Sequence, residues 1–170
     1  MGSTGMIGRL VLEQALADDT VGEILCLVRS TGKITPPKVT EILVEDFTNY
    51  ASMVTHFKKI DHVFYCLGVY TGTVPREAFR KITVDYPVAL AKAIHSVSPQ
   101  ANFALLSGQG ADTTEKSKLM FAKDKGAAEN QLAAVGFSSF YSFRPGYIYP
   151  VKKRKEPNFS YALFRVLYPF

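Results

Sequence analysis

The chain opens on Gly2-Ser3-Thr4-Gly5-Met6-Ile7-Gly8, three glycines at GxxGxxG spacing directly before an amphipathic stretch. Such a loop has a specific physical use. Bare glycines let the backbone turn tightly and approach a pyrophosphate, and the last one lets helix and strand pack closely. The helix N-terminus then offers free amides to the negative charge. Alone the spacing is a weak sign, because many helix-entry loops contain glycines. It also carries a constraint. A dinucleotide fold has an apolar strand just before this loop, and here only Met1 precedes Gly2. Omitting that strand leaves its neighbours roughly 10 Å apart, twice the usual strand spacing. The expectation is a fragment of a longer product, or a sheet that is incomplete or completed by another chain.

Downstream, short apolar runs alternate with amphipathic stretches, the pattern of βαβ units around a parallel sheet. A helix is predicted from Met6 to Asp18, with Ile7, Leu10, Val11 and Ala15 inward. Strands are predicted over Glu23 to Val28, Glu41 to Phe47, His62 to Leu67, Ala101 to Leu106 and Ser138 to Phe143. Helical segments are predicted over Ser52 to Lys59, Arg76 to Ser96 and Lys116 to Val135, the last closed by Gly136. Pro87 lacks an amide hydrogen, so a kink or break is expected near it. The fold class is α/β, a Rossmann-like doubly wound parallel sheet without its first strand. Residues 1–150 form the nucleotide-binding domain, and 151–170 begin a cut-short substrate or cap segment, apolar and aromatic from Phe159 to Phe170.

Composition narrows the function. The formal charge of +5 includes Lys152-Lys153-Arg154-Lys155, and without that run the globular part is nearly neutral. A diffuse nucleic-acid-binding face is not expected. The run reads as a solvated loop, or else as a patch contacting phosphate or lipid. Cys26 and Cys66 each sit inside an apolar run, as reduced, buried thiols do. Together with the lack of a signal-like start, they suggest a cytoplasmic setting. No apolar stretch reaches membrane-spanning length. His56, His62 and His95 lack ligand spacing, so no metal site is expected.

Two features past the glycine loop bear on the cofactor. Arg29-Ser30 stands just past the first buried strand, where an acidic residue would bond the ribose hydroxyls of NAD. An arginine there favours the 2′-phosphate of NADP instead. The plainer alternative is a surface arginine ending a strand. Asp46 sits where such folds often contact adenine, or is simply an acid at a helix start near Thr48.

The order GxxGxxG, a strand ending in arginine, "DF", "YCLG", "VDY", "LLSGQGAD", "AKDKGAAE" and "FRPG" resembles the atypical short-chain dehydrogenase/reductases. The likeness is to the Tat-interacting-protein-like and NmrA-like branch, also labelled nucleoside-diphosphate-sugar epimerase-like, and it runs from Gly2 to about Pro150. It implies that Gly2, Ser3, Thr4, Gly5, Met6, Ile7 and Gly8 surround the pyrophosphate, with Arg29 at the adenosine phosphate and Asp46 near the adenine. Cys66, Leu67 and Gly68 would pass beneath the cofactor. Ser107 would match the serine that bonds a substrate carbonyl or hydroxyl. Lys125 would match the lysine of the YxxxK pair, which binds the nicotinamide ribose. Arg144, Pro145 and Gly146 would lie near the nicotinamide. Each has a simpler reading as well: Ser107 as a strand end, Lys125 as a solvated helix lysine.

The departure is at the tyrosine. Four residues before Lys125 stands Phe121, and a phenyl ring has no proton to give. Positioned proton transfer contributes about 10²–10⁴-fold in rate. Tyr70, Tyr147 and Tyr149 offer other hydroxyls, and nothing in the sequence singles one out. The sequence therefore points to an NAD(P)-binding protein, NADP in preference to NAD, with weak or no classical redox activity and a regulatory or interaction role. The alternatives are an active NADP-dependent oxidoreductase or sugar-nucleotide epimerase acting on a small carbonyl, and a fragment that binds no nucleotide. The partners implied are a nicotinamide dinucleotide and a small molecule or protein.

Overall fold

A computed structural model describes residues 1–32 and 36–149. The predicted segment 151–170, with its basic run, lies outside the described residues. Among the described residues five strands form in chain order: β1 (Ile24–Val28), β2 (Val39–Leu43), β3 (His62–Tyr65), β4 (Asn102–Leu106) and β5 (Ser139–Phe143). All pairings are parallel. They make a two-stranded sheet, β1-β2, and a three-stranded sheet, β3-β4-β5.

Met1 lies along the edge of β3 that β4 does not occupy. Its amino group donates to the Phe64 carbonyl at 3.0 Å, and its own carbonyl accepts from the Cys66 amide at 3.0 Å. This is the slanted pattern of a parallel ladder, one residue long. The glycine loop is thereby anchored to the C-terminal end of β3.

Helix α1 (Met6–Ala17) packs on the small sheet, with Leu12 and Leu16 against Cys26, Val28, Ile24 and Val39. On the larger sheet one face is closed. Val63 and Tyr65 of β3 and Phe103 and Leu105 of β4 join a core with Val88, Leu90, Ala91, Ile94 and Leu132 from the helices. These strands alternate buried and open positions, so Phe64, Tyr141 and Phe143 sit on the opposite face and are about half exposed.

Pro87 produces a wider turn and no break. Helix α2 (Arg76–Arg80) passes into a π-helical turn, Lys81–Asp85, and on into α3 (Tyr86–His95). The proline ring would collide with the carbonyl four residues back. The π-turn, in which the Tyr86 amide donates to the Lys81 carbonyl, supplies the extra residue that lets the helix continue. Helix α4 (Met120–Ala133) begins later than its periodicity predicts. The preceding residues are held by Asp112, whose carboxylate accepts from the Thr114 and Ser117 amides, a local bonding pattern that competes with helix. Likewise β2 runs from Val39, earlier than predicted. Its register follows β1 up to Leu43, after which the Val44 amide closes on the Val28 carbonyl. Residues Ala51–Phe57 wind as a 3₁₀-helix.

Two close approaches fix α4. Asp124 is fully buried, and its carboxylate takes Arg76 at 2.5 and 2.9 Å and Arg80 at 3.5 Å, which ties α4 to α2. Gly126 lies against the Asp112 carbonyl; a Cβ there would stand 1.8 Å from that oxygen. Since neither backbone can move aside cheaply, Gly126→Ala is expected to destabilise the chain by about 3 kcal/mol, at the upper end of overpacking costs. Gly22→Ala, which meets nothing within 4 Å, serves as control. Urea denaturation of both variants measures the difference.

Candidate functional site

The C-terminal ends of β1 and β3 frame a cleft of about 280 Å³ lined by Met1, Gly2, Ser3, Thr4, Leu27, Val28, Arg29, Ser30, Phe47 and Leu67. Each glycine of the opening loop has a separate reason for being there. Gly2 has φ +83°, and a side chain on it would meet the Cys66 carbonyl carbon and Leu67 nitrogen at 2.8 Å. Only glycine passes over the end of β3 this closely. Gly8 presses on the other side, where a Cβ would stand 2.1 Å from the Gly2 carbonyl oxygen. The Gly5 amide closes the turn onto that same oxygen at 2.9 Å.

The entry to α1 is uncapped. Gly5 provides no side-chain hydrogen bond, the first turn holds no acidic residue, and the first helical backbone bond shown runs from the Arg9 amide to the Gly5 carbonyl. The amides of the first turn therefore have no helical acceptors. The Ser3 hydroxyl is buried beside them without a hydrogen-bond partner. Such a group is costly unless something polar comes to it. A cradle that any Cβ would fill, an orphaned hydroxyl and a set of open amides fit a diphosphate.

Arg29 and Ser30 stand exposed at the mouth of the cleft, one and two residues past β1. Cys66 and Leu67 lie directly beneath Gly2, whereas Gly68 crowds nothing within 4 Å. Asp46 accepts from the Thr48 amide and hydroxyl at 2.8 and 2.6 Å. Its neighbour Phe47, which sequence reasoning passed over, supplies the wall and stacks on Tyr86 with centroids 5.3 Å apart.

A second cluster gathers at the C-terminal ends of β4 and β5. Phe121, Lys125 and Glu129 recur at four-residue spacing and share one face of α4. Phe121 points its ring tip at the loop after β4, with its Cζ 2.6 Å from where a Cβ of Gly108 would be. Lys125 donates to the Leu106 carbonyl at 3.1 Å. Burial lowers its pKa to about 8, with the Glu129 carboxylate opposing the shift. Ser107 donates its proton to Glu129 Oε1 at 2.5 Å.

Glu129 is the residue the sequence reading missed. Arg144 Nε donates to both of its oxygens, at 3.0 and 3.1 Å, and Nη2 donates to Oε2 as well. Burial pushes the Glu129 pKa up, but the hydrogen bonds from Arg144 and Ser107 outweigh it and hold the carboxyl below its usual range. Its place one turn past Lys125 was the available signal. Arg144 is thus committed to Glu129, and Pro145 accepts the Gln109 amide at 2.8 Å. Gly146 leaves room for the Gln109 side chain, whose oxygen would be 2.6 Å from a Cβ.

Removing Arg144 leaves this carboxylate buried and half-satisfied. Arg144→Leu is expected to cost about 2–3 kcal/mol at neutral pH, less than for a fully buried pair because the guanidinium is 43% exposed. A folded-state pKa below the unfolded value of about 4.3 means the stabilisation is present above that value and lost as pH falls through the folded one. The gap between variant and wild type in urea unfolding should therefore shrink on acidification below about pH 4.

Comparison with known proteins gives the same reading of the fold. The curated relatives include the mitochondrial protein fmp52 of Emericella nidulans, 28% identical over 170 residues, covering 96% of this chain and 72% of the relative. They also include the mitochondrial protein fmp52-1 of Aspergillus terreus, 25% identical, covering 92% and 68%. Their mitochondrial setting overturns the cytoplasmic expectation. The free thiols of Cys26 and Cys66 fit any reducing compartment and do not identify one. Among solved structures, a short-chain dehydrogenase from Burkholderia cenocepacia in complex with NADP superposes with a TM-score of 0.70 at 17% identity, covering 87% of this chain and 70% of that one. The Bordetella bronchiseptica enzyme WbmG in complex with NAD gives 0.66 at 17% identity, covering 84% of this chain and 50% of that one. Likeness at that identity speaks for the Rossmann-like α/β fold alone. The model of the NAD(P)H-binding family matches residues 2–154, and the chain belongs to that family.

Proposed function

We propose that this chain holds NADP(H) across its glycine loop and has little capacity for the tyrosine-dependent carbonyl reduction of short-chain dehydrogenases, acting as a cofactor-dependent regulatory or interaction protein. The observation that carries the reading is the cradle itself: Gly2 and Gly8 in mutual contact, open amides at the head of α1, and the orphaned Ser3 hydroxyl in the cleft wall. These groups complement the pyrophosphate. Leu27, Val28, Phe47 and Leu67 supply the apolar part of the cleft, the surface an adenosine needs. Arg29 at its mouth supports NADP over NAD, since a guanidinium pairs with a 2′-phosphate and gains little from a bare hydroxyl.

Lys125, Ser107 and the Arg144-Pro145-Gly146 turn occupy the strand ends where the nicotinamide half would lie. A bound nicotinamide supplies hydride chemistry. Beside it Phe121 offers no phenolic proton.

Replacing Arg29 removes charge-assisted bonds worth about 1.5–3 kcal/mol, or roughly 10–100-fold in affinity. Arg29→Glu is therefore expected to weaken NADPH binding by at least that much in calorimetric titration, while NADH affinity changes little. Equal losses for both nucleotides would remove the NADP assignment. The absence of heat with either nucleotide in the wild-type chain would remove the reading itself.

A further inference from the structure

The polar cluster at the end of β4 has an unusual distribution of protons. The Ser107 hydroxyl spends its single hydrogen on Glu129, which leaves it only lone pairs to present to a ligand. Glu129 is held ionised by Arg144, so it accepts and does not donate. Phe121 contributes a ring tip packed on Gly108. The remaining member is the Lys125 ammonium, which gives one hydrogen to the Leu106 carbonyl and has two more.

We propose that Lys125 is the acid–base residue of this site, passing its proton to the oxygen of an aldehyde or ketone ligand at the C-terminal end of β4. The proposal rests on the dinucleotide reading above. When bound, a reduced nicotinamide supplies a hydride to the carbonyl carbon. The carbonyl oxygen takes a proton from the Lys125 ammonium, and the product is the alcohol. Lysine is left as the amine and regains its proton from water.

The surroundings suit this role. Among the described residues, the charged groups around Lys125 have their own assignments. Glu129, one turn along α4, favours the ammonium. Arg144, reaching in from beyond β5, is paired to that same carboxylate. Asp124 is turned to Arg76 and Arg80 on α2. What remains is burial, which disfavours the charge and brings the pKa to about 8, where a lysine still carries its proton at neutral pH but releases it readily. Tyr70, Tyr147 and Tyr149 also follow strand ends, so the test has to separate a phenol from an ammonium.

Two kinds of measurement do so. In the wild-type chain, side-chain ¹⁵N resonances assigned through Lys125→Arg should show one lysine titrating near pH 8; a Lys125 titration above pH 10, in the ordinary lysine range, would overturn the proposal. With NADPH and 9,10-phenanthrenequinone as carbonyl probe, kcat/KM should be level below pH 8 and fall about tenfold per pH unit above it. Lys125→Arg keeps the charge but cannot release a proton. At saturating NADPH it should lose at least about 100-fold in turnover. Phe121→Tyr should raise turnover. A Lys125→Arg variant as fast as wild type, a flat pH profile, or loss of turnover in Tyr147→Phe with Lys125→Arg unaffected would contradict the role. A chain that binds NADPH but reduces no probe also overturns it, leaving the cofactor reading intact. Failure to bind NADPH removes both.

Discussion

The bare α-carbon of Gly8 against the carbonyl of Gly2 is the contact from which the site follows. It lets α1 start directly above the end of β3, where Gly2, in a left-handed conformation, crosses the Cys66–Leu67 peptide. Any side chain at either position would push the helix away from the strand. With the helix drawn in, Gly2, Ser3 and Thr4 at its entry line the same cleft as Arg29 and Phe47. The geometry proposed to bind the diphosphate is thus a consequence of packing, and the packing is a consequence of two missing side chains.

The second half of the molecule is organised by buried charge. Two carboxylates on α4 face different ways. Asp124 binds the arginines of α2 and holds the helix in place. Glu129 gathers Ser107 and Arg144 and sets the electrostatic background of Lys125. The π-turn before Pro87 lets α2 and α3 run on as one rod, so that Arg76 and Arg80 reach Asp124 while α3 still closes the core. An ordinary proline kink would have separated those two tasks.

Much of this was legible in the sequence because the relevant signals are local. The glycine spacing, the apolar strands and the arginine past β1 are all read from neighbouring residues, and five parallel strands form, β2 two residues earlier than predicted. The offset of Phe121 from Lys125 by one helical turn was also readable, and with it the lost phenol. What escaped was set by particular hydrogen bonds that no apolar pattern or glycine spacing records. The start of α4 is delayed by Asp112. Glu129 becomes important only because Ser107 and Arg144 converge on it from two strand ends. The cytoplasmic expectation failed for another reason. Reduced cysteines record redox conditions, and the fmp52 relatives are mitochondrial.

The central claim is that the opening loop encloses the diphosphate of a nicotinamide nucleotide. It is tested most directly by following backbone amide resonances while NADPH is titrated into the chain. The account requires the largest shifts at Ser3 through Gly8, together with Arg29. Saturation that leaves those amides unmoved, or moves only residues remote from the cleft, would contradict it.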